Sequence, residues 1–291
     1  MGRETNRQRR QRQAATAREK AAVARAAQRR ADQRRRAWLT ISGIVALAVV
    51  GVLIAVVAIN SGGNSKQAND RATAATGVVN SVTSVTPAAL QTVGAGSAQV
   101  LAKPTQGDPP LTSNGKPELL YVGGEFCPFC AAERWSMVQA LSRFGTFSNL
   151  SQIRSATNDG NYATFSFYKS NYTSKYLSFD PVENEDRNHK TLQPMTSAQQ
   201  ALFTKYTTGF PFLYFGGKYV QTNSGYDPTV LTGLNWQQIA AQLKNPNSKV
   251  AQGILGEANN LTATICKMTN NQPSSVCLKP DITTLQSKIG A

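Results

Sequence analysis

The sequence has a single histidine, His189, and only four cysteines in 291 residues. A structural zinc site needs four Cys or His ligands held together. With one histidine inside a charged stretch, a zinc half-site at Cys127 and Cys130 is disfavoured, and neither metal nor cofactor is expected. Residues 1–36 lack aromatic side chains and almost all large apolar ones. They cannot build a core of their own, and they offer nothing to stack on nucleic-acid bases. That tract nevertheless holds 13 of the 31 Lys and Arg residues and three of the 16 acidic ones, so the net charge of +15 is largely local and the remainder of the chain carries +5. Its expected role is a cytoplasmic topology signal that touches anionic lipid headgroups; no nucleic acid is expected as a partner.

Residues 37–59 lack any charge and are dominated by Ile, Leu, Val and Ala. A stretch of that length, at about 1.5 Å per residue, spans the roughly 30 Å hydrocarbon layer. Trp38 stands at its start, where an interfacial aromatic belongs. A small-x-small cleavage site is also lacking after Val56-Val57-Ala58-Ile59, and the run exceeds the apolar region of a removed signal peptide. The expectation is one uncleaved transmembrane signal anchor, with Arg34, Arg35 and Arg36 holding the N-terminus inside. Everything beyond Asn60 would then lie outside the cytoplasm, in the cell envelope, where disulfides form and persist.

What the sequence does have is Glu125-Phe126-Cys127-Pro128-Phe129-Cys130-Ala131-Ala132. An apolar, strand-like run (Leu119 to Val122) precedes it and a helix-like one follows. At a helix mouth, unpaired N–H groups and the helix dipole stabilise a thiolate, the reactive form of cysteine. Pro128 suits the first helical position. Cys130, one turn in, could resolve a mixed disulfide formed on Cys127. The residues point to thiol–disulfide exchange, with an inert disulfide as the alternative.

Along the chain, residues 60–94 read as a polar linker followed by lead-in helices, and Gln99–Ala102 as a first strand. Residues from Cys127 to about Phe144 read as a helix with Trp135, Val138, Leu141 and Phe144 on one inward face. Tyr162–Tyr168 is the clearest strand pattern, alternating and aromatic. Residues 169–194 read as irregular. A helix is expected over Thr196–Thr207 and another over Asn235–Leu243. Between them Gly216-Gly217 separates two apolar runs, a hairpin signal.

Strand, helix, strand, helix, hairpin, helix, with Cys-x-x-Cys at the first strand-to-helix junction, resembles the thioredoxin-fold oxidoreductases over residues 95–245. The run Cys-Pro-Phe-Cys-Ala-Ala-Glu-Arg-Trp (127–135), behind an Arg-rich tail and anchor, also resembles a group of uncharacterised prokaryotic membrane-anchored thioredoxin-like proteins. The resemblance implies an α/β thioredoxin-like fold, with an insertion near 169–194 and a C-terminal helical extension at 246–291, preceded by one transmembrane helix. It implies Cys127 and Cys130 as the redox pair. It further implies that Pro211 is a cis-proline facing them, with Phe210 before it and Phe129 beside it contacting protein thiol or disulfide substrates. A membrane redox partner would complete the cycle. The chain departs from cytoplasmic thioredoxins in having Pro128-Phe129 between the cysteines and Tyr121 where they carry a buried carboxylate.

Cys266 and Cys277 flank Asn270–Pro273 and read as a structural disulfide pinning a helical hairpin, or as a second redox pair feeding Cys127 and Cys130. Glu125, Glu133 and Arg134 flank the dithiol and read either as a surface salt bridge within Glu133-Arg134-Trp135 or as residues that tune the site electrostatically, and His189 reads as a solvated loop residue. Two functions remain open on these residues. One is a membrane-anchored extracytoplasmic thiol–disulfide oxidoreductase. The other is a non-catalytic thioredoxin-fold module binding an envelope partner through Phe126, Phe129, Phe210 and Phe212.

Overall fold

The computed structural model describes residues 71–99 and 102–290. The basic tract, the membrane span expected at 37–59 and linker residues 60–70 lie outside the described residues. Among the described residues no helix is long and apolar enough to cross a membrane. The helices are α1 (Thr76–Thr83), α2 (Pro87–Val93), α3 (Pro128–Leu141), α4 (Ser197–Tyr206), α5 (Trp236–Gln242), α6 (Lys249–Met268), α7 (Ser274–Cys277) and α8 (Pro280–Gln286). The strands are β1 (Ala72–Thr73), β2 (Lys103–Pro104), β3 (Thr112–Ser113), β4 (Lys116–Gly124), β5 (Gly145–Ser148), β6 (Ser151–Arg154), β7 (Ala163–Ser166), β8 (Asn171–Ser174), β9 (Ser178–Glu185), β10 (Phe212–Phe215) and β11 (Tyr219–Gln221). The fold class is α/β.

β4 is the centre of the main sheet. Its residues Leu119, Leu120, Tyr121 and Val122 are all buried, because both faces of the sheet are covered, and so the run is continuously apolar rather than alternating. Leu119 and Tyr121, with Leu213 and Phe215, belong to the large core shared with α3 and α6. Leu120 and Val122, with Phe212 and Tyr214, pack with Val182, Val220 and Phe203 of α4. β10 runs antiparallel to β4 and turns into β11 through Gly216 and Gly217. Phe215 lies opposite Tyr219, so the loop is Gly216-Gly217-Lys218, and the glycine φ angles of 60° and 80° are left-handed values that glycine adopts without steric cost. Before this hairpin, α4 is fixed at its start by Thr196 and Gln199, which cap each other's backbone N–H groups.

Three expectations change. First, the strand that lies parallel to β4 is β9, in register from Glu118 opposite Ser178 to Gly123 opposite Glu183, with a shift before Gly124 opposite Glu185. It comes from the stretch read as irregular and inserted. β7, the strand with the clear pattern, belongs to a separate sheet ordered β1-β6-β7. β9 pairs with β4 alone among the strands, so Pro181 and several polar residues are tolerated along its open edge. Its sequence therefore carries little strand signal. The additional chain between α3 and β9 is the β5–β8 and β6–β7 pairings. Second, the first strand described in the main sheet is β2 at Lys103–Pro104; of the strand expected at Gln99–Ala102, Val100 and Leu101 lie outside the described residues.

Third, α3 has no solvent face. Every residue from Cys130 to Leu141 is buried, because α6 lies against it. Residues 246–291 are helical, but α6 completes the core of the same unit. Ser136 donates to the Ile254 carbonyl at 2.9 Å. Asn259 donates to the Leu90 and Gly94 carbonyls at 2.9 and 2.7 Å, satisfying the end of α2. The approach is close: a Cβ on Gly256 would lie 2.2 Å from the Ala95 oxygen.

Glu133 on α3 and Glu257 on α6 are both fully buried, bridged by Gln221, whose Nε2 donates to them at 3.3 and 2.7 Å. Burial pushes the Glu257 carboxyl up to about 7, with hydrogen bonds from Gln221 and Asn260 holding it back. Burial, and then the facing Glu257, push Glu133 well above the carboxylate range. The folded chain thus keeps protons that an unfolded carboxyl of pKa 4.5 releases, and stability falls as pH rises from about 4.5 to about 7. In thermal melts of the full chain we expect Tm to drop by at least about 3 °C from pH 5 to pH 8. Glu257→Gln is expected to remove half or more of that drop, and equal slopes in the two proteins would refute the assignment.

Candidate functional site

β4 ends in an irregularity between Gly123 and Gly124, and the chain turns through Glu125 and Phe126 into α3. The Gly124 carbonyl accepts the Cys127 N–H at 3.2 Å. Cys127 is the N-cap of α3, extended at φ −72° and ψ 127°, with Pro128 inside the first turn. Its Sγ accepts the Cys130 backbone N–H at 3.3 Å, as a serine or aspartate oxygen does at an ordinary cap. A negative sulfur is favoured there by that N–H and by the helix dipole.

The two thiols are free and unequal. A hydrogen bond from the Cys130 thiol lowers the Cys127 pKa. Burial opposes this, and the Cys130 N–H, the Arg134 charge and the Phe129 N–H add to the lowering, so that it falls from 9.0 to about 7. Cys130 has no exposed surface. Burial, its hydrogen bond to Cys127 and the charge of Cys127 push it well above 9.0, against the opposing Arg134 charge. Cys127 is therefore the thiol that ionises near neutrality.

Across from the dithiol, the Cys127 thiol lies 3.8 Å from the Phe210 carbonyl, which it can reach as a donor. The Phe210–Pro211 peptide is cis, and Pro211 is buried at the entry to β10. The structure thus brings Cys127, Cys130, Phe210 and Pro211 to one place from segments far apart in the chain. Phe129 projects beside them, 41% exposed. Phe126 forms the rest of the rim, 6.1 Å from the Phe210 ring and 3.9 Å from the His189 ring. His189 is exposed, but it lies on an aromatic face rather than free in solvent, with Nδ1 3.4 Å from Glu185. Phe212 is not on this rim: it is fully buried and packs against Phe203 and Tyr214. Cys266 and Cys277 are joined to each other in a disulfide between α6 and α7.

Arg134 has a partner that sequence reasoning missed, Glu183. In place of a surface salt bridge to Glu133, Arg134 makes an ion pair with Glu183 of β9, Nε at 2.9 Å and Nη2 at 2.6 Å, and neither side chain has solvent exposure. Nη2 also donates to the Gly124 carbonyl at 2.8 Å. The misreading has a physical origin, because Glu133 and Arg134 sit on a helix that is covered on all sides. Their two consecutive charges inside an otherwise apolar run were the available signal. Glu125 is likewise buried, accepting Arg71 at 2.7 Å and Ser166 at 2.6 Å. Tyr121 is fully buried, and its hydroxyl has no protein partner. Among the described residues no three His, Cys, Asp or Glu side chains are grouped as metal ligands.

Alkylation of the reduced full chain by iodoacetamide is expected to follow a single titration with a midpoint near the Cys127 value of about 7, rate rising with pH. Cys127→Ser is expected to abolish this phase. A midpoint at an ordinary thiol value of about 8.5 would contradict the geometry.

No curated protein and no solved structure matches the chain. Residues 105–207 and 193–267 match a family described as a domain of unknown function (DUF929), and together these segments cover more than half of the sequence. The chain belongs to that family.

Proposed function

We propose that the chain is a thiol–disulfide oxidoreductase with a thioredoxin-like fold, anchored by residues 37–59 with its folded unit outside the cytoplasm. The observation that carries the reading is the pairing of an N-cap thiol of lowered pKa with a buried partner three residues on. The order of elements supports the fold reading. β4, α3, β9, α4, the β10–β11 hairpin and α5 follow one another as strand, helix, strand, helix, hairpin, helix, with Cys127 at the first strand-to-helix junction. No cofactor is invoked.

In the reductive direction the Cys127 thiolate attacks a substrate disulfide, forming a mixed disulfide and releasing one substrate thiolate. Cys130 then loses its proton and attacks the Cys127 sulfur. The Cys127–Cys130 bond forms, the second substrate sulfur leaves and takes up the proton, and the substrate has gained two electrons. The oxidative direction is the reverse. Phe210 and Pro211 would hold the substrate chain against the sulfur, Phe129 would offer apolar contact beside it, and a membrane redox partner would reset the dithiol. Cys266–Cys277 is read as a structural staple: closing a loop of about ten residues contributes roughly 2–3 kcal/mol in the chain-entropy model.

One observation favours the second reading, a non-catalytic binding module: Cys127 is only 5% exposed, whereas Phe129 is 41% exposed. Turnover separates the two. With insulin or scrambled ribonuclease as substrate, Cys127→Ser is expected to fall to background. Cys130→Ser is expected to accumulate a mixed disulfide at about one per chain, since the resolving thiol is gone. Wild-type activity no greater than that of the double mutant would refute the oxidoreductase reading.

A further inference from the structure

A fully buried thiol has to ionise for the resolving step, and among the described residues Arg134 is a cation whose charge acts on it. Arg134 follows Cys130 by four residues on α3, so the two side chains share a face one turn apart. Cys127 and Arg134 act on Cys130, and the same three groups together with Glu183 of β9 surround Tyr121 of β4. Tyr121 stays a neutral phenol because burial pushes its pKa well above 10.0. Arg134 spends Nε and Nη2 on Glu183 and Gly124, but its Nη1 is buried and has no protein hydrogen-bond partner. An unpaired buried N–H of a cation is costly unless it is used.

We infer that Arg134 is a positioning residue for the Cys130 thiolate, its guanidinium held by Glu183 so that a positive charge stands one helical turn from the resolving sulfur. This rests on the oxidoreductase reading above. During resolution Cys130–SH gives up its proton, its thiolate forms the bond to Cys127 Sγ, and the departing substrate sulfur takes the proton. Arg134 keeps its own proton throughout and only steadies the transient anion. Glu183 sets the strength of the effect, because its carboxylate partly cancels the arginine charge seen by Cys130.

The two residues therefore act with opposite signs, which a purely structural ion pair would not. The reduced full chain is mixed with 5,5′-dithiobis(2-nitrobenzoate). Cys127 attack releases a first thionitrobenzoate, and Cys130 attack on the resulting mixed disulfide releases a second. An adjacent opposite charge moves an ionisable group by about 1–3 units, so Arg134→Met is expected to slow the second phase at pH 7 by about tenfold or more. The first phase should change much less, and Arg134→Lys should recover part of the loss. Glu183→Gln, which keeps hydrogen-bonding capacity but removes the countercharge, is expected to shift the midpoint of the second phase to lower pH. If Arg134→Met does not fold, Glu183→Gln alone decides. A second phase with an unshifted or raised midpoint in Glu183→Gln, or an unchanged rate in folded Arg134→Met, overturns the inference. Absence of a Cys127-dependent first phase in the wild type would instead remove the underlying reading.

Discussion

The ion pair between Arg134 and Glu183 is the constraint on which the site's geometry depends. Taking both charges out of water costs several kcal/mol per ion, and close hydrogen bonds must offset that cost. Two run from Arg134 to Glu183, a third from Nη2 to the Gly124 carbonyl, and a fourth from the Phe167 N–H to Glu183 Oε1 at 3.1 Å. They tie α3, the end of β4, β9 and the residue after β7 together at one point. The pair also fixes register. A one-residue slip of β9 along β4 would turn Glu183 to the other face of the sheet and leave the arginine buried without its partner. The Gly124 carbonyl that takes Nη2 also takes the Cys127 N–H, so the ion pair and the turn carrying the dithiol are fastened to the same atom.

The difference between the two thiols follows from this frame. One helix terminus serves both, yet only Cys127 sits outside the first turn, where the helix N–H groups point at its sulfur. Cys130 lies inside the helix with no exposed surface, and its charge is disfavoured. α6 covers the neighbouring face of α3, where Ser136 bonds the Ile254 carbonyl and Glu133 meets Glu257 through Gln221. The same covering places the Glu133–Glu257 pair in the core, where the acids keep their protons to higher pH.

Much of the site was legible from short-range chemistry. Cysteines at positions 127 and 130, a proline between them, a preceding apolar run and two glycines define a helix-mouth dithiol without further context. The Gly216-Gly217 hairpin and the helix over Thr196–Thr207 were similarly local. β9 was not legible, because an edge strand buried mainly at Val182 and Glu183 needs no alternating apolar pattern. Tyr162–Tyr168 misled for the opposite reason, since its aromatic alternation is real but serves a smaller neighbouring sheet. The partners of Arg134 and Glu257 lie 49 and 36 residues away in the chain. A pairing at that separation is created by packing, and no local pattern announces it.

The central claim is that Cys127 and Cys130 cycle between dithiol and disulfide. Its most direct test is equilibration of the full chain with reduced and oxidised glutathione, followed by alkylation and mass measurement of the peptide carrying both cysteines. The account predicts a reversible two-electron transition with a potential above about −300 mV. A pair that stays oxidised at potentials below about −300 mV would behave as a structural bond and contradict the account.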